Sequence, residues 1–193
     1  MNYSDWNIPP EGPEIPAALT QAGYTPLLAA LLCRRGIRTP EEAERFLHGG
    51  PELLGDPMLL QDMDKAASRV RRAIEQRETV AVFGDYDVDG ITSTVLLMDY
   101  LKSCGVRCLR HIPRRIEEGY GLSKEAIQGL RDQGATLMIT VDCGITAVAE
   151  TVRAAELGID VVITDHHECK EALPAAAAVV NPHRVDCQYP FPC

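Results

Sequence analysis

Three short runs of acidic residues and histidine stand out in this 193-residue sequence. They read Asp85-Tyr86-Asp87-Val88-Asp89-Gly90, Asp142-Cys143-Gly144 and Asp165-His166-His167. Carboxylates held close together repel one another, and burying them without a compensating positive charge is costly. Carboxylates beside a neutral imidazole suit Mn²⁺ or Mg²⁺ better than zinc, whose structural sites prefer cysteine and histidine. We therefore expect a two-ion site if the fold brings these runs together.

The first run leads into a helix start that favours phosphate chemistry. The alternation of aspartates lets Asp87 and Asp89 face two different ions, and Gly90 permits a sharp turn. Thr92 and Ser93 then open a helix whose first N–H groups can bind an anion. Divalent ions beside such a helix start suit phosphoester hydrolysis, because the ions activate water and neutralise the charge that develops on phosphorus.

Each run follows an apolar segment typical of a buried strand. The candidate strands are residues 79–83, 106–112, 136–141 and 159–163. Helical patterns alternate with them at residues 67–74, 91–101, 123–130 and 148–155, and the second is apolar nearly all round, so we expect it to be buried. This rhythm predicts an α/β fold, a parallel sheet with helices on both faces. The carboxyl ends of its strands would gather the three runs at one edge.

The sequence before residue 62 has a different pattern. Helical segments at 27–32 and 43–47 precede a connector broken by prolines and glycine, and Thr39-Pro40-Glu41-Glu42 is a helix-start signature. We predict a small helical appendage with its connector over residues 1–61 and the α/β domain over 62–193. Residues from Asn181 onward read as a loop with no closing element, so we expect this domain to be cut short.

Composition limits the remaining possibilities. No apolar run approaches the roughly 20 residues of a membrane span, and the amino terminus is no signal peptide, so we expect a cytoplasmic protein. The seven cysteines are odd in number and lack C-x-x-C spacing, which does not suit a disulfide framework. The net charge of −9 opposes nucleic-acid binding, although two bound cations would bring it to about −5 and arginines cluster between residues 107 and 115.

The three runs resemble the first three motifs of the DHH phosphoesterase superfamily. Residues 112–122, Ile-Pro-Arg-Arg-Ile-Glu-Glu-Gly-Tyr-Gly-Leu, are similar to a segment of its branch that degrades single-stranded DNA. The resemblance implies a DHH-type domain and a metal-dependent exodeoxyribonuclease. It also implies 5′-to-3′ hydrolysis of single-stranded DNA that releases mononucleotides in DNA repair and recombination. We expect the enzyme to act as a monomer.

The resemblance also implies a role for each matching residue. Metal ligands would be Asp87, Asp89, Asp142 and His166, with Asp142 bridging the two ions. Catalysis would involve Asp142 and His167, the latter at the scissile phosphate. Asp85 and Asp165 would orient these groups, and phosphates would meet Arg114, Arg115, Thr92 and Ser93. Phe83 stands where some members have a further metal-binding histidine. A fourth motif and second domain are absent from these residues, so we expect weak or no activity from them alone.

Alternatives remain at this stage. One is a DHH-family phosphatase for short oligonucleotides or small phosphoesters, which residues 112–122 disfavour. Another is a non-catalytic DNA-binding scaffold of DHH ancestry, although the three motifs are intact. A calcium loop starting at Asp85 is disfavoured because its twelfth position holds Leu96 rather than glutamate.

Overall fold

The computed structural model describes residues 12–190 and contains two compact units, the first ending at Gly55 and the second beginning at Asp56. The first unit contains α1 (Ala17–Gln21), α2 (Pro26–Arg34), α3 (Pro40–His48) and a 3₁₀ turn (Pro51–Leu53). The predicted start of α3 is confirmed: the Thr39 hydroxyl accepts the Glu42 N–H, and the Glu42 carboxylate accepts the Thr39 N–H. This reciprocal pair caps the helix.

The second unit is a five-stranded parallel sheet between helices. Its elements in chain order are a 3₁₀ turn (Pro57–Leu59), α4 (Met63–Glu75), β1 (Thr79–Gly84), α5 (Val88–Ser103), β2 (Arg107–His111), α6 (Lys124–Asp132), β3 (Leu137–Val141), α7 (Val148–Glu156), β4 (Asp160–Thr164) and β5 (Ala178–Val180). The strands lie in the order β2-β1-β3-β4-β5, and every pair is parallel. The predicted α/β fold is confirmed, as are the four predicted strands.

Alternate residues of the strands pack into two cores, one on each face of the sheet. Val80 and Val82 of β1 join a core with residues of α4 and α5, while Ala81 and Phe83 join a core with residues of α6 and α7. Strands buried on both faces consist of nearly continuous apolar residues, which is why their sequence pattern was readable.

Register aligns the carboxyl ends of the three central strands. Gly84 pairs with Val141, and Val141 pairs with Thr164. The residue that follows each strand is an aspartate. Strand order also reverses between β1 and β3, and a crevice opens at such a reversal because the two following connections run to opposite sides. The sheet therefore brings three carboxylates to the mouth of one crevice.

At the opposite edge of the sheet, where the strands begin, a buried arginine neutralises the charge of two acidic side chains. Arg69 of α4 is 8% exposed, and its guanidinium donates to Glu78 at 2.8 and 3.1 Å and to Asp160 at 2.6 Å. Glu78 also accepts the Thr136 hydroxyl at 2.6 Å. The hydrogen bonds from Arg69 lower the pKa of Glu78, so this edge is held by a paired cation.

Two details differ from the sequence-based expectations. Helix α5 is not buried all round, since Val95 and Leu96 are 55% and 76% exposed. Helix α7 buries Thr151 and Ala154, whereas the predicted apolar face at 148, 152 and 155 is exposed. A helix that is apolar nearly all round, as α5 is, carries no periodic signal that selects its buried face. In α7 the small side chains of Thr151 and Ala154 are buried while the larger Val148 and Val152 are exposed, so hydrophobicity indicated the wrong face.

The carboxyl-terminal segment contains a strand that the sequence analysis missed. Strand β5 pairs with β4, and the residues after it form a loop, as predicted. Buried Arg184 ties this loop back to α4, because its Nη1 lies 2.7 Å from Oδ2 of Asp62 and its other nitrogens bind Asp186. Burial alone would raise the pKa of Asp62, but hydrogen bonds from Lys65 and Arg184 outweigh it and lower that pKa to about 2.

None of the helices formed by residues 12–190 is long and apolar enough to span a lipid bilayer.

Candidate metal centre

Carboxylates and imidazoles from three strand ends converge around one residue, Asp142. Carboxylate oxygens of Asp85, Asp87 and Asp142 lie within 4.8 Å of one another. Asp142 also lies within 4.8 Å of nitrogen atoms of His166 and His167, so it belongs to both groups. A carboxylate that belongs to two such clusters is suited to bridge two ions.

Asp142 is held in an unusual and costly environment. Its backbone is left-handed, with φ at 61°, and its side chain is 5% exposed. Oδ1 accepts a hydrogen bond from Nε2 of His166 at 2.9 Å, whereas Oδ2 is buried and has no hydrogen-bond partner in the described chain. Burial, together with the neighbouring Asp87 carboxylate, raises the pKa of Asp142. A buried carboxylate oxygen without a donor is destabilising. The donor set therefore fits a hard divalent cation.

Asp165 positions both histidines. Its Oδ2 accepts the Ile145 N–H at 2.9 Å, and its Oδ1 accepts the N–H groups of His166 and His167 at 2.7 and 3.1 Å. Oδ1 also accepts Nδ1–H of the His167 ring at 2.8 Å, which raises the pKa of His167. The predicted orienting role suits these contacts. Asp85, by contrast, lies inside the carboxylate cluster although we assigned it an orienting role.

Buried Asn181 braces the same loop, and the sequence analysis did not include it in the site. Its side-chain amide donates to the His167 carbonyl at 2.9 Å, and its Oδ1 accepts the His183 N–H at 2.7 Å. An asparagine directly after an apolar segment was the available sequence signal, but strand β5 itself had not been predicted.

The first acidic run caps helix α5. Oδ1 of Asp87 accepts the Gly90 N–H at 3.0 Å, and this hydrogen bond lowers the pKa of Asp87. A Cβ atom on Gly90 would lie 2.5 Å from backbone atoms of Asp85, so only glycine allows this close approach. The turn thus presents Asp87 and Asp89 from the first residues of a rigid helix.

A cleft of about 350 Å³ lies beside these groups, and Asp89, Ser93, Asp142 and His166 line it. Asp89 therefore faces the same space as Asp142, as the predicted ligand set requires. The predicted helix start at Thr92 and Ser93 is wrong, because α5 begins at Val88 and both residues lie in its second turn, where backbone N–H groups bind carbonyls of the helix. Of the two residues, only Ser93 lines the cleft. The Thr92 hydroxyl donates to the Val88 carbonyl at 2.7 Å.

The loop after β2 places its two arginines differently. Arg114 is exposed and pairs with Glu117 at 3.0 Å. The Arg115 guanidinium lies 5.3 Å from the centroid of the Tyr86 ring. The rings of Tyr86 and Tyr120, which are not among the predicted site residues, lie between Arg115 and His167.

Phe83 contributes no ligand atom. Its ring is fully buried and packs 4.7 Å from the ring of His111.

The fold and the site define an α/β protein with a carboxylate–histidine centre at the carboxyl edge of a parallel sheet. Residues 79–193 match the family described as the DHH family, N-terminal domain, and the chain belongs to the DHH family.

Named relatives and solved structures agree with this assignment. The chain is 42% identical over 187 residues to the single-stranded-DNA-specific exonuclease RecJ of Bacillus subtilis, covering 96% of this chain and 24% of that protein. It resembles a crystal structure of exonuclease RecJ bound to manganese, with a TM-score of 0.63 and 34% identity, covering 69% of this chain and 34% of that one. A second structure, RecJ of Thermus thermophilus in complex with Mn²⁺, gives a TM-score of 0.65 at 29% identity, covering 89% and 24%. The chain thus spans about a quarter to a third of these relatives.

Proposed function

We propose that this chain carries the metal centre of an exonuclease specific for single-stranded DNA, which hydrolyses phosphodiesters from the 5′ end and releases mononucleotides. The observation that carries the proposal is the buried, unpartnered oxygen of Asp142 at the junction of two ligand clusters. The RecJ relatives support the choice of substrate, and the 5′ polarity follows the resemblance of the sequence motifs alone.

Two Mn²⁺ or Mg²⁺ ions would be held by Asp87, Asp89, Asp142 and His166. When bound, these ions would lower the pKa of water and neutralise negative charge on the reacting phosphate. The manganese-bound RecJ neighbours support this choice of ion. Asp142 would bridge the two ions, and its place at the end of β3 and its contact with His166 support this role.

His167 is the group proposed to contact the scissile phosphate. Its Nδ1–H is held by Asp165, so Nε2 is the ring atom left to donate to a phosphate oxygen. The raised pKa of His167 favours the charged imidazolium, and a charged donor binds phosphate more strongly than a neutral one. Asp165 acts through this contact by orienting the ring.

We also propose that the protein acts as a monomer in the cytoplasm. The six described cysteines are all free thiols, which suits a reducing compartment. DNA repair and recombination would supply the single strands.

The test uses the full-length protein, because we expect weak or no activity from these residues alone. It measures mononucleotide release from 5′-labelled single-stranded DNA with and without Mn²⁺, compared with duplex DNA and with dinucleotides. We expect Mn²⁺-dependent release from single strands, and a loss in Asp142→Asn greater than the roughly 10- to 100-fold that follows removal of a residue that only orients a metal ligand. Asp99→Asn, an exposed carboxylate on α5, serves as the matched control and should keep full activity.

Other outcomes would favour the alternatives. Faster hydrolysis of dinucleotides than of long strands would identify a phosphatase for small substrates. Binding of single-stranded DNA without any release of mononucleotides in Mn²⁺ would identify a scaffold.

A further inference from the structure

The turn that carries Asp142 needs support from its neighbours. Asp142 has a left-handed backbone, with φ at 61°, which residues other than glycine adopt only at a cost in energy. Glycine at this position would relieve the cost but would remove the carboxylate from the centre of the site. Contacts made by other residues of the turn must therefore stabilise its conformation.

Thr140, two residues before Asp142 on β3, closes this turn. Its side chain is fully buried, and its hydroxyl donates to the Cys143 carbonyl at 2.8 Å, on the other side of Asp142. Burying a hydroxyl is costly unless it forms a hydrogen bond, and valine has nearly the same shape without that cost. The hydroxyl on this otherwise apolar strand therefore points to a role for the hydrogen bond itself.

Gly144 leaves room for the Thr140 hydroxyl. The φ angle of Gly144 is 107°, in the left-handed region that favours glycine. A Cβ atom on Gly144 would lie 2.8 Å from Oγ1 of Thr140. The hydroxyl thus occupies the space that a side chain at position 144 would need, so the two positions fit one another.

Thr164 joins the same turn to the histidine run. Its hydroxyl donates to the Thr140 carbonyl at 2.7 Å, and its own carbonyl accepts the Asp142 N–H at 3.0 Å. Thr164 is the last residue of β4 and stands two residues before His166, whose ring contacts Asp142. The two threonines therefore connect the Asp142 turn to the strand end from which His166 follows.

We propose that Thr140 is a positioning residue, which fixes the turn so that the Asp142 carboxylate is presented to both ions. This inference rests on the metal centre of the proposed function and names a residue that holds it in shape. Thr140 acts through the backbone, because its hydroxyl binds a carbonyl group rather than a ligand side chain. Residues that orient a metal ligand in this way contribute about 10- to 100-fold to metal affinity or activity.

The test measures Mn²⁺ binding to the full-length protein by titration calorimetry. Thr140→Val keeps the branched shape and removes the hydroxyl, so we expect it to bind Mn²⁺ about 10- to 100-fold more weakly than the original protein. Thr140→Ser retains a hydroxyl for the Cys143 carbonyl and should bind Mn²⁺ like the original protein.

Thr151→Val is the matched control. Thr151 is also fully buried and its hydroxyl donates to the Val148 carbonyl at 2.9 Å, but it belongs to α7 and lies outside the predicted ligand set. Both valine substitutions remove a buried hydroxyl, so urea titrations should show similar losses of stability. Only Thr140→Val should lose affinity for Mn²⁺, which separates the positioning of a ligand from ordinary stabilisation of the fold.

Three outcomes would overturn the proposal. They are an unchanged Mn²⁺ affinity in Thr140→Val, an affinity in Thr140→Ser as weak as that of the valine variant, and an equal loss in Thr151→Val. Far-UV circular dichroism establishes that each variant is folded. Should Thr140→Val fail to fold, Thr140→Ala and Thr151→Ala replace the valine pair, and the same outcomes apply.

Release of mononucleotides from single-stranded DNA is measured in parallel over a range of Mn²⁺ concentrations. Thr140→Val should need more Mn²⁺ than the original protein to reach half of its maximal rate, because the loss lies in ion binding. Release by the original protein together with an unchanged Mn²⁺ affinity in Thr140→Val would refute the role of Thr140 and leave the proposed function intact. If the original protein binds Mn²⁺ but releases no mononucleotides, the exonuclease activity is refuted, and a weaker affinity in Thr140→Val still supports the positioning role. If the original protein binds no Mn²⁺, both proposals are refuted.

Discussion

Replacing Asp142 by asparagine should stabilise the protein in the absence of metal and abolish its stabilisation by Mn²⁺. Oδ2 of Asp142 is buried without a donor, and such a group costs about 1–3 kcal/mol. An amide at this position could donate to the neighbouring Asp87 carboxylate, which interacts with Asp142 in the native site. Asparagine also tolerates the left-handed backbone, with φ at 61°. We therefore expect the free energy of unfolding without metal to rise by about 1–2 kcal/mol.

Mn²⁺ should reverse this order. At a concentration about a hundredfold above its dissociation constant, an ion that binds only the folded state adds ~2.7 kcal/mol. The original protein should gain this increment, and Asp142→Asn should gain almost none. The raised pKa of Asp142 adds a pH signature, because the destabilising charge disappears as the carboxyl group is protonated. The advantage of the variant without metal should therefore be largest at neutral pH and shrink as the pH is lowered.

Urea titrations followed by far-UV circular dichroism, with chelator or with Mn²⁺, measure both quantities. Asp99→Asn removes an exposed carboxylate from α5 and should change stability by less than about 0.5 kcal/mol while keeping the Mn²⁺ increment. A variant that is less stable than the original protein in chelator would refute the reasoning about the buried oxygen. An equal Mn²⁺ increment in both proteins would remove Asp142 from the ligand set.

Three further predictions concern residues outside the predicted ligand set that hold the surrounding elements in place. Asp62→Asn should lower the free energy of unfolding by about 2 kcal/mol at neutral pH, because the pKa of Asp62 falls from 3.8 to about 2 on folding. Urea titrations should show that this loss of stability shrinks as the pH drops from 3.8 towards 2. Arg69→Ala should cost about 3 kcal/mol because Glu78, whose side chain is 14% exposed, loses its guanidinium partner. Arg153→Ala breaks an exposed pair and should cost less than about 1 kcal/mol; equal losses in urea would contradict this. Gly90→Ala should weaken Mn²⁺ binding, measured by calorimetry, because the added Cβ would meet the Asp85 backbone. The control Gly129→Ala places its Cβ in open space on α6, so it should add about 0.5–1 kcal/mol to the free energy of unfolding and keep the affinity for Mn²⁺. Unchanged Mn²⁺ affinity in Gly90→Ala would contradict the prediction.

Most of the sheet could be predicted because its central strands are buried on both faces. Residues 79–83 and 136–141 are apolar and rich in β-branched side chains, and both lie within or overlap observed strands. Strand β5 escaped prediction because it has only three residues and follows an alanine run. Its place depends on pairing with β4 and on the contact between Asp62 and Arg184, which are far apart in the sequence. Sequence patterns over a few residues cannot indicate contacts between residues that are so far apart in the chain.

The convergence of the acidic runs was easier to predict than the surface around them. Aspartates directly after strands become neighbours in any parallel sheet, so spacing alone indicated that Asp142 would meet the other acidic runs. Tyr86 and Tyr120 carry no such mark, since neither position in the sequence shows which residues the ring will contact. Only the folded loop after β2 shows that their rings meet each other and His167.

The alignment of Gly84, Val141 and Thr164 in one register has a consequence for biosynthesis. The groups that surround Asp142 lie on three strands separated by helical crossovers, and β4 is the last of these strands to leave the ribosome. A nascent polypeptide that ends before His166 would expose its aspartates as separate, hydrated side chains with little hold on any cation. Binding of the ion would therefore require that translation has passed His166 and that β4 has paired with the other strands of the sheet.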